Sequence, residues 1–250
     1  MKSIDSGREF MKSGFADMDG RRSDQSGGVR QPPLEKPYEQ SVKVIKLPRP
    51  DARAVRKADI YACMKDRRSR RRFSDQPLTL VELALLLWAT QGIDSIGPER
   101  CSTFRPAPSA GARHAFETYI IANRVSGLDG GIYRYLPLTH ELLPTAEMSD
   151  EVSQRLTAAT FGQRFVARGA VVFVWSCLPY RGEWRYQHEA HKNMLLDAGH
   201  VCQNLYLAAE AVEFGACAIA AYDQDAMDSL LGLDGADEFV VYLAPVGKPA

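Results

Sequence analysis

Arg67-Arg68-Ser69-Arg70-Arg71-Arg72-Phe73 stands between an apolar-spaced segment (Ile60, Cys63, Met64) and a helix start at Thr79. A guanidinium is a planar fork of donors that grips phosphate oxygens bidentately, and a serine hydroxyl adds a neutral donor. The run can therefore hold a phosphate. A chain that does so also needs somewhere to put the rest of the phosphorylated molecule. As a bare pattern, five arginines equally fit a solvated face or a nucleic-acid patch.

Composition narrows these alternatives. The chain has 250 residues, 45% of them hydrophobic, which is ample material for a core. Its 31 basic and 31 acidic residues cancel, so the arginine run is a local feature of a neutral protein rather than the signature of a dedicated nucleic-acid binder. No apolar run approaches the length of a membrane span, and Met1–Phe10 carries charges where a signal peptide has its apolar stretch. The five cysteines (63, 101, 177, 202, 217) are widely spaced and odd in number, which reads as core thiols in a reducing cytoplasm.

Residues 1–50 differ from the rest. Gly27-Gly28, Pro32-Pro33, Pro37, Pro48 and Pro50 disfavour regular helix or sheet. An extended arm is expected here. Residues 1–30 are equally compatible with disorder, whereas Pro32-Pro33-Leu34-Glu35-Lys36-Pro37-Tyr38 has apolar anchors for docking. Residues 51–250 then form one domain. A helix is allowed over 51–66. Thr79 with Glu82 makes a capping box, and Leu78 with Leu83 a hydrophobic staple, so a buried helix follows and ends at Gln91-Gly92-Ile93. Arg105-Pro106-Ala107-Pro108-Ser109-Ala110-Gly111-Ala112 reads as a loop of small residues that a flat ligand can approach closely.

The segments 117–125, 132–136 and 140–143 read as an antiparallel meander. Ser149 caps a helix over 150–159. Ala170–Ser176 is a continuous apolar strand, buried on both faces. Residues 179–193 are polar and aromatic and are placed beside the site. A long helix runs from there to Phe214 and is stopped by Gly215 at C′. Asp223 caps a last helix to Leu231, and Phe239–Val246 closes the chain as a strand.

No G-x-G-x-x-G, G-x-x-x-x-G-K or G-x-S-x-G is present, so Rossmann, P-loop and serine-hydrolase chemistry have no motif. His188 and His191 stand at i, i+3 without an H-E-x-x-H or a cysteine partner, and no metal is expected.

Four motifs in this order carry a resemblance: the arginine run, Pro108-Ser109-Ala110-Gly111, Leu196-Asp197-Ala198-Gly199-His200 continuing to Ala209, and Ala244-Pro245-Val246-Gly247-Lys248-Pro249. Together, over about residues 55 to 249, the chain resembles the nitroreductase superfamily. The branch it is most similar to holds the azoline-forming dehydrogenases and their stand-alone relatives. The resemblance implies an α+β fold with a central mixed or antiparallel sheet flanked by helices, and a homodimer with FMN at its interface. It puts the FMN phosphate and ribityl chain on Arg67, Arg68, Ser69 and Arg71, with Lys248 reaching the phosphate. It puts the flavin ring along Pro108, Ser109, Ala110 and Gly111, with Cys217, Ala218, Ala220 and Ala221 at its other edge.

The implied activity is transfer of hydride from a reductant such as NAD(P)H to a small conjugated or nitro-type acceptor. The alternative is a flavin-holding sensor or storage protein, and flavin destruction or dehalogenation also occurs among relatives. Tyr186, Arg185 and His188 are the candidates for substrate contact or proton donation. Two departures stand out. Ala220 and Ala112 occupy positions where relatives carry Glu and Asn. Arg185-Tyr186 stands where the azoline dehydrogenases use Lys-Tyr, and arginine is a poor general base.

Overall fold

The computed structural model describes residues 3–18 and 20–250. The strands are β1 (Ile45–Lys46), β2 (Leu78–Thr79), β3 (Ser95–Ile96), β4 (Thr103–Phe104), β5 (Phe116–Ala122), β6 (Val125–Ser126), β7 (Gly131–Leu136), β8 (Glu141–Glu147), β9 (Val171–Cys177), β10 (Gly215–Ala216) and β11 (Phe239–Gly247). The helices are α1 (Ile4–Phe10), α2 (Ile60–Asp66), α3 (Leu80–Gln91), α4 (Asp150–Ala159), α5 (Arg164–Ala167), α6 (Tyr180–Tyr186), α7 (Ala190–Ala211) and α8 (Gln224–Leu231).

Seven strands form the central sheet in the order β1-β8-β7-β5-β9-β11-β10, and every neighbouring pair is antiparallel. The fold is α+β. In β9, side chains alternate between faces with the period of a strand. Val171, Phe173 and Trp175 pack toward α3 and α7, while Val172 and Val174 pack toward α4 and α8. Both faces are covered, which is why the strand is apolar throughout. Each fully buried side chain here contributes about 1.5–3 kcal/mol.

Local signals set several helix ends. The Thr79 side chain accepts from the Glu82 N–H, and Glu82 accepts from the Thr79 N–H, closing the capping box of α3. Ser149 and Asp223 cap α4 and α8, and Gly232 follows α8 in the left-handed conformation at φ 69°. The end of α7 departs from expectation. It stops at Ala211, and the left-handed C′ residue is Glu213 at φ 62°. Phe214 N–H donates to Ala209 O at 2.8 Å and Glu213 N–H to Glu210 O at 3.0 Å, a Schellman closure made without glycine. Gly215 is needed for another reason. A Cβ there would lie 2.4 Å from Arg70 Cγ and 2.8 Å from Arg70 Cβ. Over residues 51–66 only the stretch from Ile60 is α-helical, after a single 3-10 turn at Ala52–Ala54.

The first fifty residues are less uniformly extended than their proline and glycine content suggests. Ser3 and Ser6 cap α1 reciprocally, and Ile45–Lys46 joins the central sheet as its edge strand beside β8. Between them, residues 31–37 cross one end of the sheet over a buried ionic cluster. Arg181 Nη2 meets Glu117 Oε1 at 2.5 Å, both side chains being 3% exposed or less. Lys36 N–H donates to the same Glu117 oxygen at 2.8 Å, and its ammonium pairs with Glu238. Glu238 also accepts from Ser176 Oγ at 2.6 Å and Tyr119 Oη at 3.1 Å. Arg134 Nη2 donates to Lys36 O at 2.9 Å, and Leu138 N–H to Glu35 Oε2 at 3.1 Å. Nearby, burial pulls the Arg105 guanidinium down to about 10, with Arg181 adding to the effect.

Candidate functional site

The arginine run lies along the β10 edge of the sheet. Ser69 bridges Ala216 in parallel, Arg70 N–H donates to Ala216 O at 2.8 Å, and Phe73 bridges Pro249. The backbone is thereby fixed while the side chains stay outside: Arg68, Arg70, Arg71 and Arg72 are exposed and Arg67 is half-buried. Among the described residues, none of these five guanidiniums has a carboxylate oxygen within the 4.0 Å of an ion pair. Five fixed cations on one edge without counter-charge fit a multiply charged anion.

Tyr206 of α7 organises this edge. Its hydroxyl is 2.9 Å from Ser69 Oγ and accepts the Ala218 N–H at 2.7 Å. The Arg67 guanidinium lies over its ring, 5.2 Å from the centroid. One phenol thus ties the arginine run to the 217–221 segment. Cys217 is buried beside Arg71. Burial pushes its thiol up while the Arg71 guanidinium pulls the other way. Ala220 and Ala221 are exposed and small. Two of the predicted residues are engaged elsewhere. Arg68 Nη1 donates to the Lys65 and Arg67 carbonyls at 2.8 Å each. Lys248 Nζ is 3.5 Å from Glu213 and sits over the Phe214 ring.

The Pro108–Gly111 bend sits near the other end of α7. Asp197, 7% exposed, receives the Ala110 N–H on its carboxylate at 3.1 and 3.3 Å. Burial raises this carboxyl, and contacts from Ser109 and Ala110 partly offset the rise. Ser109 Oγ accepts from His114 N–H at 3.0 Å. Gly111 takes φ +59° and Ala112 φ 52°. The left-handed region costs a residue with a Cβ about 1–2 kcal/mol and tolerates asparagine better, so Ala112 is held there by its surroundings.

Arg185 and Tyr186, the last residues of α6, close over Gly111. A Cβ there would lie 2.6 Å from Tyr186 Oη and 3.2 Å from Arg185 Cδ. His188 is on the turn beyond, half-exposed, 3.5 Å from Glu189. His191 meets Glu183 at 2.7 Å and His200 stands 3.9 Å from Asp197, so each of these three histidines has its own carboxylate neighbour. Among the described residues, no group of three metal-ligating side chains is assembled.

Sequence reasoning singled out neither Tyr206 nor Asp197. Both lie within the 196–209 motif. The signal available was only their place in that motif, since α7 carries other polar residues as well. Nine residues separate them, which is roughly 14 Å of rise and half a turn in angle, so they point from opposite faces of α7.

The profile of the nitroreductase family matches residues 64–248. A nitroreductase-family protein of Methanocaldococcus jannaschii is 30% identical over 200 residues, covering 80% of this chain and 94% of that protein. A crystal structure from Anabaena variabilis superposes with a TM-score of 0.72 at 26% identity; it covers 86% of this chain, which spans only 43% of the other. The Escherichia coli microcin synthetase McbBCD complex gives a TM-score of 0.63 at 17% identity over 97% of this chain and 94% of the matched chain. A Desulfovibrio desulfuricans protein solved with FMN shares the fold at a TM-score of 0.53, with 20% identity over 78% of this chain and 88% of that one. With residues 64–248 matched by the family profile and a 30% identical relative matched over most of its length, the chain belongs to the nitroreductase family.

Proposed function

We propose that this protein is an FMN-dependent oxidoreductase that works as a homodimer, taking hydride from NADH or NADPH and delivering it to a small conjugated or nitro-type acceptor. The carrying observation is the split of the site about α7. On one face Tyr206 carries the Arg67 guanidinium and Ser69 of the arginine run, and on the other a close-approach bend rests on Asp197. A phosphate-bearing flavin suits the first feature at its tail and the second at its ring. One copy presents the two on opposite sides of a helix, so two copies facing each other would join them. Leu195 and Leu196 are more than half exposed, and Gly199 between them and His200 has open space around it. Trp88 of α3 and Ile60 and Met64 of α2 are exposed apolar side chains as well. Such a patch suits a second copy.

Arg67 and Arg71, with Ser69, would hold the phosphate. Arg68 would join them by giving up its backbone contacts. Lys248 and the 217–221 segment would border the ligand, and Pro108, Ser109, Ala110 and Gly111 would support the ring. When bound, FMN supplies hydride chemistry at its N5. The chain's part is to bind, orient and exclude water. The Tyr186 hydroxyl, at Gly111, is placed to give a proton to an acceptor stacked there, and Arg185 beside it supplies fixed positive charge. No base is proposed at Arg185, so azoline formation is not the favoured reaction although McbBCD shares the fold.

The test is the visible spectrum of the purified protein, then anaerobic reduction by NADH and NADPH and a screen of acceptors. Flavin bands that bleach with either nucleotide and recover with a nitroaromatic or quinone are expected. Tight FMN binding without turnover would favour a flavin-holding sensor or storage role.

A further inference from the structure

α6 has seven residues and no side-chain cap at its start, so its position depends on what it packs against. It packs on α7 and is pinned by the Arg181–Glu117 pair, and two further sets of contacts reach its outer side. From the arm, Asp24 accepts the Tyr180 hydroxyl at 2.8 Å, Gln25 N–H donates to Trp184 O at 2.9 Å, and Val29 O accepts the Trp184 indole N–H at 2.9 Å. From the bend, the Arg113 guanidinium covers the Trp184 ring 4.8 Å from its centroid, and Arg113 Nε donates to Arg181 O at 2.9 Å. Trp184 is 4% exposed and immediately precedes Arg185 and Tyr186. Phe15 also meets the Tyr186 ring edge-on at 6.1 Å. Pro108 is exposed and Ser109 to Ala112 are half-buried, but the gap between the bend and α6, lined by Ser109, Ala110, Tyr186 and Asp197, is only about 10 Å³. An acceptor that enters between Gly111 and Tyr186 therefore requires the end of α6 to shift, and arm contacts oppose that shift.

We infer that Trp184 is a positioning residue, through which arm residues 24–29 set how closely Arg185 and Tyr186 approach Gly111 and hence how large an acceptor the site admits. The inference rests on the proposed flavin site for its consequence in turnover, but the mechanical coupling is independent of it.

The experiment uses the full chain with Trp184→Phe/Tyr180→Phe, which keeps an aromatic ring under Arg113 while removing the two side-chain hydrogen bonds to the arm. Asp24→Ala serves as an exposed companion that cuts only one. Hydrogen exchange is followed peptide by peptide, with β9 as the fold control. The double variant should exchange at least fivefold faster in 110–114 and 183–187, with β9 unchanged and FMN retained as in wild type. The kcat/KM ratio of a bulky quinone to a small nitroaromatic should rise at least threefold through KM, and Asp24→Ala should shift both readouts in the same direction by less. Faster exchange confined to the arm, or an acceptor ratio unchanged within twofold in flavin-loaded protein, would overturn the inference. A wild-type protein that binds no flavin would instead refute the proposed function, leaving the exchange data to decide the coupling.

Discussion

Arginine serves opposite ends in two regions of this molecule. Along the β10 edge, residues 67–72 carry five guanidiniums, four of them exposed, with no ion-pairing carboxylate among the described residues. Under the arm, Arg181 and Arg134 are 3% exposed and bound to Glu117 and to backbone carbonyls. Burying a charge is tolerable only when it is paired. The inner arginines are therefore structural and hold the arm to the sheet. The outer ones contribute little to folding, and their fixed positions suit capture of an anion. The type of residue is the same, and the surroundings decide its use.

The sharpest way to break this contrast is at the outer edge. Arg67→Ala/Arg71→Ala should weaken FMN binding by roughly 10²- to 10⁴-fold, since charge-assisted contacts contribute about 1.5–3 kcal/mol each. Its melting temperature should stay within about 1 °C of wild type. Fluorescence titration and melting curves check both halves. At the inner cluster the expectation is reversed. Arg181→Met strands Glu117 and should cost about 3–5 kcal/mol of stability, lowering the melting temperature by roughly 10 °C. FMN affinity measured in the cold should hardly change.

Tyr206→Phe sharpens the contrast at the boundary between folding and binding. It leaves the Ala218 N–H and Ser69 without their partner and should reduce FMN affinity by roughly tenfold, the equivalent of one lost hydrogen bond of about 1–3 kcal/mol. The smallest effect concerns Asp197. Burial raises its carboxyl, so the folded state binds the proton more tightly than the unfolded chain does. Its contribution to stability is thus greatest at low pH. That contribution falls as pH rises from the ordinary carboxylate range through the raised value, then stays flat. Asp197→Asn removes this slope, and melting temperatures from acid to neutral pH should show the variant gaining on wild type across that window.

Much of this could be read from sequence because the signals are local. The Thr79–Glu82 box, the Ser149 cap and the Asp223…Gly232 pair each satisfy helix-end groups within a few residues. The apolar run of β9 announces burial on both faces. What stayed hidden depends on distant partners. Glu213 takes a left-handed conformation that composition assigns to Gly215, because Gly215 is reserved for the close passage of Arg70. α6 has no start signal and is held by α7, the Arg181–Glu117 pair, the arm and Arg113. Glu117, Arg134, Arg181 and Glu238 look like surface residues until the sheet and the arm bring them together. The arginine run reads as a candidate anion grip from sequence alone, but which of its side chains are free to serve does not. Arg68 folds back on its own backbone, while Arg67 is stacked on Tyr206.

The central claim is tested most directly by titrating FMN into the flavin-stripped wild-type protein beside Arg67→Ala/Arg71→Ala and following quenching of flavin fluorescence. The account predicts saturable binding at one FMN per chain for wild type and loss of it in the folded double variant. Absence of binding to wild type, or equal binding by both, would contradict it.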